Sequence, residues 1–385
     1  MKYTYAVEGN IKMRDKTQNI INCLKDHSLL LGGKQVTVGF DGFVDSIVRL
    51  VKSKNSGGNL TYFQEIAEFG SYIIDKQGKS CSIELEEVVN KIGGNMPIMA
   101  NALGQLGIKV SCLGAMGFPD INKVFADMSA NCKLYSFAEP GFTIALEFND
   151  GKIMMARMDT IHNVTWEKIK RSVGLENIIN FFNNSDFVGM VNWSELDNSS
   201  YIWEGVIKEV LPLHKPDKNQ VIFFDLADCS KREMVDIVYA INLIEQFSDY
   251  YKVILSLNEN ESRLIYNSLE TSPEPEDLVD VGNKIYDCLN IDELVIHPAK
   301  FSLAWDKNGM YRADTLFVDN PMLSTGGGDN FNAGLCIGEL LGLGTEDTLI
   351  LANCVAGFYV RNGISPDISQ LLDYIFEYQK VFSLL

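Results

Sequence analysis

The sequence predicts an α/β fold: a doubly wound, mostly parallel sheet flanked by helices, with a small β element inserted in it. Three observations carry this. From about residue 180 onward, buried-looking runs (Phe187 to Val191, Val221 to Asp225, Val253 to Leu257, Leu294 to His297) alternate with segments long enough for crossover helices. The ends of these runs carry polar residues, Asn192, Asp225 with Asp228, and Asn258 with Glu261, and in such sheets the carboxyl ends of strands line the ligand crevice. Glycine-led helix starts then occur twice, at Gly93-Gly94-Asn95 and at Gly326-Gly327-Gly328-Asp329.

Composition bounds the rest. A chain of 385 residues, 46% hydrophobic and 22% charged, can bury a large core, and residues 1–385 are read as a single α/β domain. A net charge of −18 without a basic stripe argues against nucleic acid or an anionic membrane as partner. The start, MKYTYAVEGN, has no apolar signal region and no stretch reaches the length of a membrane span, so a cytoplasmic location is expected. Eight scattered cysteines lack a CxxC pair or zinc spacing, and four dispersed histidines make no HExxH. No structural metal is expected.

Taken in order, residues 1–34 place Ile20, Ile21, Leu24 and Leu29 to Leu31 where a packed helix would bury them. Val36 to Phe40 reads as a buried strand that runs into a glycine-punctuated loop holding Asp41 and Asp45. Residues 46–92 are partly Gly/Ser-rich and otherwise mixed. Gly93-Gly94-Asn95-Met96-Pro97 opens an apolar helix that stops at Gly107. Phe142 to Phe148 and Ile153 to Met158, joined by Asn149-Asp150-Gly151, form a hairpin. Asn258-x-x-Glu261 follows a strand, where a carboxylate one turn beyond an amide can hold water on a hard cation, a capping pair being the structural alternative.

Ser324-Thr325-Gly326-Gly327-Gly328-Asp329 is the focus. Three glycines make an unfavourable helix start unless something must approach the bare backbone, and unpaired amides with the positive dipole end suit an anion. Asp329 before a helix is ordinarily a cap. Beside an anion cradle it also suits a base that takes the proton of an attacking hydroxyl, and the combination points to phosphoryl transfer.

Thr325 to Phe331 resembles the C-terminal signature of the ribokinase (PfkB) family of carbohydrate kinases, Thr-Gly-Ala-Gly-Asp-x-Phe. Gly93-Gly94-Asn95 resembles that family's N-terminal signature, with Ile98 where a second Asn is expected, and Asn258-x-x-Glu261 resembles its Asn-x-x-Glu motif. The resemblance runs from about residue 36 to 368 and implies a ribokinase-like fold whose segments 46–92 and 141–160 form a lid. It implies an ATP-dependent sugar kinase using Mg²⁺, with Asp329 as general base and Gly326, Gly327 and Gly328 as anion hole. Asp45 would face the sugar with Gly94, Asn95 and the lid residue Arg157, while Asp41, an addition to the family pattern, is a substrate-binding candidate by its place in the same loop. Asn258, Thr325, Asn353 and Gly357 would face the nucleotide, and Glu261 the metal. A homodimer through the lid follows by analogy. Three departures stand out: Phe118-Pro119-Asp120 replaces paired acids, His297-Pro298-Ala299-Lys300 replaces a Thr-Leu-Gly-like turn, and Leu323 replaces an Asp, so no monovalent cation site is expected. The rival reading is a non-catalytic sugar or nucleotide sensor on the same fold. A dehydrogenase is disfavoured, because no GxGxxG follows a strand.

Overall fold

Strands form where β-branched and aromatic residues run between turn residues, and the computed structural model describes them within residues 16–26, 31–269 and 273–382. In chain order they are β1 (Gln35–Gly39), β2 (Phe43–Lys54), β3 (Leu60–Tyr62), β4 (Leu85–Gly93), β5 (Lys109–Gly114), β6 (Cys132–Ser136) and β7 (Gly141–Phe148). β8 (Gly151–Arg157), β9 (Phe187–Val191), β10 (Val221–Asp225), β11 (Lys252–Leu257), β12 (Glu293–Ile296), β13 (Phe301–Asp306) and β14 (Gly309–Asp314) complete them.

Nine strands make the main sheet in the order β14-β13-β12-β11-β10-β9-β1-β5-β6. Every pairing from β12 to β6 is parallel, and the β12-β13-β14 edge is antiparallel. Alternation divides each strand between two cores. Val188, Met190, Ile222 and Phe224 pack under one helical layer, and Val36, Val38, Phe187 and Phe223 under the other. The second layer holds the Asn95–Gln105, Gly327–Leu341 and Thr345–Asn362 helices and the helix of residues 16–26, whose Ile20, Ile21 and Leu24 are buried as expected. Leu29 and Leu30 lie outside the described residues.

The strand order reverses at β1, which lies between β5 and β9. A crevice opens at such a reversal, outside the carboxyl ends of the strands. Asp41 follows β1, Asn192 follows β9, Asp225 ends β10, Asn258 follows β11 and His297 follows β12. Five sequence-distant polar residues therefore share one edge.

A second, five-stranded sheet is centred on β2, which pairs in parallel with β7 on one edge. Its other edge carries β4 and then β3, both antiparallel, and β8 pairs with β7 through the two-residue Asn149-Asp150 turn. One face packs Val48, Leu50, Leu146 and Phe148 against Phe63 and the Ile66–Ile74 helix. The sequence expectation of a loop through Asp45 is corrected here: Asp45 lies inside β2. The run Phe43-Val44-Asp45-Ser46-Ile47-Val48 is β-branched enough to pair on both edges, and its carboxylate sits on one face rather than breaking the strand.

Candidate active site

The Gly327–Leu341 helix begins from Gly326 at φ 90°, a left-handed conformation that glycine adopts without steric cost. A Cβ at Gly326 would lie 2.7 Å from the Tyr359 hydroxyl, so space and conformation both require glycine. No side chain caps this helix start. Gly327 donates its amide to the Ser324 carbonyl (3.1 Å), which removes it from the expected anion hole and leaves the amides of Gly328 and Asp329 without a carbonyl acceptor among the described residues.

Asp329 lies in the first turn, not before it, so it is not the N-cap. Its carboxylate, 8% exposed, accepts no hydrogen bond from another described residue. Burial, and then the negative charges of Asp225, Asp41 and Glu261, hold its pKa well above the carboxylate range. Its own charge and that of Asp45 reach the Tyr359 phenol, which donates to the Thr325 carbonyl (3.0 Å).

Asp41 has a different role from the one expected. Fully shielded, it accepts from the Asn95 amide (2.8 Å), the Met96 amide (2.8 Å) and Asn192 Nδ2 (2.6 Å). From the loop after β1 it caps the Asn95–Gln105 helix, and with no exposed surface it presents no oxygen to a substrate hydroxyl. Gly94, at φ 89°, lets the backbone reach it: a Cβ there would lie 2.5 Å from Asp41 Oδ2. Asn95 takes part through its amide. Burial pushes the Asp41 pKa up to about 6 against these three hydrogen bonds.

Asp45 is 6% exposed, on the face of β2 it shares with Thr143 and Lys91. Burial raises its pKa, while Lys91 and the Thr143 hydroxyl lower it. Arg157 is not brought to this face. It stands opposite Phe142, and Phe142 opposite Val44, so it points to the other side of the sheet, where it pairs with Asp159 (3.3 Å).

On the far side of the Gly327–Leu341 helix start, a cavity of about 390 Å³ is lined by Asn258, His297, Gly327, Gly328, Asn353 and Gly357, among others. Thr325 is exposed and outside it. The Asn353 amide donates to the Ala313 carbonyl (3.1 Å) and so ties this wall to β14. Phe331 stacks on His297 with ring centroids 4.7 Å apart, and desolvation pulls the imidazole pKa down to about 4, leaving it neutral.

Asn258 and Glu261 form the capping pair. The Asn258 amide donates to Glu261 Oε2 (2.8 Å), its side chain to Oε1 (2.5 Å), and the Glu261 amide to Asn258 Oδ1 (2.9 Å). Burial, and then the charge of Asp225, push Glu261 up to about 8. Among the described residues no three His, Cys, Asp or Glu side chains are placed to hold a metal directly.

Comparison with known proteins bears on what the cleft serves. The sequence model of the prokaryotic ketohexokinase family matches residues 13–378. The chain belongs to that family. It is 26% identical over 352 residues to the ketohexokinase of Haloferax volcanii, covering 91% of this chain and 93% of that protein. The fold is that of ribokinases. The Arabidopsis thaliana ribokinase complexed with ribose and ATP superposes with a TM-score of 0.61 at 15% identity, over 89% of this chain and 98% of that one. An Escherichia coli protein described as ribokinase II, in complex with ATP and Mg²⁺, also gives 0.61, at 13% identity over 89% and 99%. A ketohexokinase-family chain on this fold is a sugar kinase, a phosphotransferase with an alcohol as acceptor.

For this ketohexokinase-family site, three residues had no assigned role in the sequence reading. Asn332 donates to Asp225 Oδ2 (2.5 Å) and accepts from Ser256 (3.0 Å), locking the β10 end to the helix that carries Asp329. Asn192, at φ 60°, holds Asp41 and leaves a buried Oδ1 without a partner. Tyr359 braces the glycine turn. Asn332 lies one turn beyond the Asp329 signature, and Asn192 at a strand end, which are the signals that find them. Tyr359 has none.

Proposed function

We propose that the chain transfers the γ-phosphoryl group of ATP, as its Mg²⁺ complex, to a hydroxyl of a ketohexose. The observation that carries this is Asp329: a shielded carboxylate in the first turn of a glycine-led helix that caps nothing, with the cavity lined by Gly327 and Gly328 on one side and Asp45 on the other. The donor phosphates lie in that cavity, and the amides of Gly328 and Asp329 point at the transferring group. Asp45 accepts from sugar hydroxyls and fixes the acceptor in line. Asp329 takes the proton of the attacking hydroxyl as the bond to phosphorus forms. Its raised pKa makes it a stronger base than an ordinary carboxylate once it is ionised. Mg²⁺, when bound with the nucleotide, would offset the charge of the donor phosphates, and Glu261, with Asp228 near it, would be the residues to hold it through water.

Residues 1–385 act as one domain in this reading, and the second sheet is the lid. Its closure excludes water, itself an acceptor for phosphoryl. The exposed Leu85, Val88, Val89 and Met154 on that sheet support pairing of two copies through it.

Asp329→Asn tests the assignment. With Mg-ATP and D-fructose, kcat falls by roughly two to four orders of magnitude while the melting temperature stays within a few degrees. Unaltered turnover with a lowered melting temperature would remove Asp329 from the chemistry. Binding of sugar and nucleotide without any ADP release by the wild type would favour a sensor.

A further inference from the structure

Lys91 is absent from every role assigned so far, yet it stands directly opposite Asp45 where β4 pairs with β2. Opposed residues of an antiparallel pair project to the same face, so its side chain lies on the face that carries Asp45 and Thr143. The ammonium is half-buried and has no ion pair or hydrogen bond among the described residues. The neighbouring Lys152 is already paired with Glu147 (3.4 Å).

Lys91 and Asp45 feel each other's charge without closing an ion pair: burial lowers the Lys91 pKa and Asp45 raises it. A cation and an anion on one face, both partly desolvated and left apart, are an unfavourable arrangement unless something polar comes between them. Lys91 also lines a cavity of about 360 Å³ whose walls include Ile98, Leu323 and Tyr359. Tyr359 donates to the Thr325 carbonyl, and both its hydroxyl and Ile98 lie against Gly326, so this cavity abuts the glycine turn that leads to Asp329.

We propose that Lys91 is a substrate-binding residue that grips the acceptor together with Asp45, the ammonium donating to one sugar oxygen while the carboxylate accepts from a neighbouring hydroxyl. The inference rests on the sugar-kinase reading above and adds to it the group recognised, a pair of adjacent oxygens on a neutral polyol. A hydroxyl is suited to the gap because it accepts from a cation and donates to an anion at once. The contact also ties β4, and with it the small sheet, to the bound sugar.

Lys91→Met tests it in the full-length protein with Mg-ATP, D-fructose and the monodeoxy analogues of D-fructose. KM for D-fructose rises about ten- to one-hundred-fold, as expected for a lost hydrogen bond to a charged group, while kcat and the KM for ATP stay within about three-fold. One deoxy analogue that the wild type handles poorly loses nothing further in K91M, because oxygen and ammonium act as a pair. Lys91→Gln, which keeps a donor, restores part of that discrimination.

A uniform loss across all analogues, or an unchanged fructose KM in an active protein, overturns the proposal. If Lys91→Met does not fold, discrimination among the analogues by Lys91→Gln and the wild type decides: identical ratios overturn the proposal, and reduced ratios in Lys91→Gln sustain it. A wild-type protein that neither binds nor phosphorylates D-fructose overturns the kinase reading for this sugar and this inference with it.

Discussion

Two helices in this molecule start the same way and end up in different roles. The Asn95–Gln105 and Gly327–Leu341 helices each follow a glycine at φ close to 90° (89° at Gly94 and 90° at Gly326), and each presents free amides at the crevice edge. At the first, Asp41 reaches in from the loop after β1 and takes the amides of Asn95 and Met96. At the second, no side chain enters, and Asp329, the acid nearest in sequence, belongs to the helix itself. A helix N-terminus attracts an anion in either case. What separates the structural joint from the reaction centre proposed above is whether the protein has supplied that anion itself.

Exchanging the two acids for alanine is the strongest way to break this contrast. Asp329→Ala removes a group that holds nothing up, so turnover collapses by roughly two orders of magnitude or more while the denaturant midpoint stays put. Asp41→Ala leaves two helix amides and the Asn192 amide buried without an acceptor, and unfolding free energy drops by about 2–3 kcal/mol. Chemical denaturation beside steady-state kinetics reads both. Loss of turnover in a fully stable Asp41→Ala protein would put the chemistry at the wrong helix.

The glycines sharpen it further. Alanine at either φ near +90° costs about 1–2 kcal/mol. At Gly94 the new methyl meets Asp41 Oδ2, and at Gly326 the Tyr359 hydroxyl. Gly94→Ala therefore lowers the melting temperature and weakens sugar binding, whereas Gly326→Ala also lowers kcat, since it shifts the turn that carries Asp329. Equal kinetic profiles for the two variants would erase the distinction.

Much of this was legible in the sequence because the signals are local. The strands of the main sheet are apolar runs, the hairpin has its Asn149-Asp150 turn, and the glycine turn lies next to its acid. What escaped is decided by partners far away in the chain. Asp41 caps amides 54 and 55 positions on, and Asn332 meets Asp225 at a separation of 107. Asp45 read as a loop residue because an acid after glycine resembles a turn, and only pairing on both edges of β2 shows otherwise. Arg157 failed for the same reason: a hairpin fixes which residues alternate, but the register with β2 decides which face meets the crevice. Asn258 and Glu261 were legible as a pair, and the structure holds them in mutual capping geometry.

The smallest effect is a pH dependence of stability, and it separates the two helix starts once more. Asp41 and Asp329 are both raised, with folded values above the unfolded ones, so the folded state holds protons that the unfolded chain has released. Stability then declines as pH rises through the window between the two values, the opposite of the usual salt-bridged carboxylate. For Asp41 the window runs from the ordinary 3.8 to about 6, because three hydrogen bonds to the ionised form offset part of its burial. Asp329 has no such bonds from neighbouring residues, and its burial together with the charges of Asp225, Asp41 and Glu261 raises it too, so it adds a decline above its ordinary value. Glu261 adds a decline between 4.5 and about 8. The melting temperature of the ligand-free protein should therefore fall on going from mildly acid to mildly alkaline buffer. Asp329→Asn should remove about 2–4 °C of that fall. A ligand-free melting temperature that rises across the same range would mean that these acids are ionised and paired in the folded protein, and that the open helix start has a counter-charge within the chain after all.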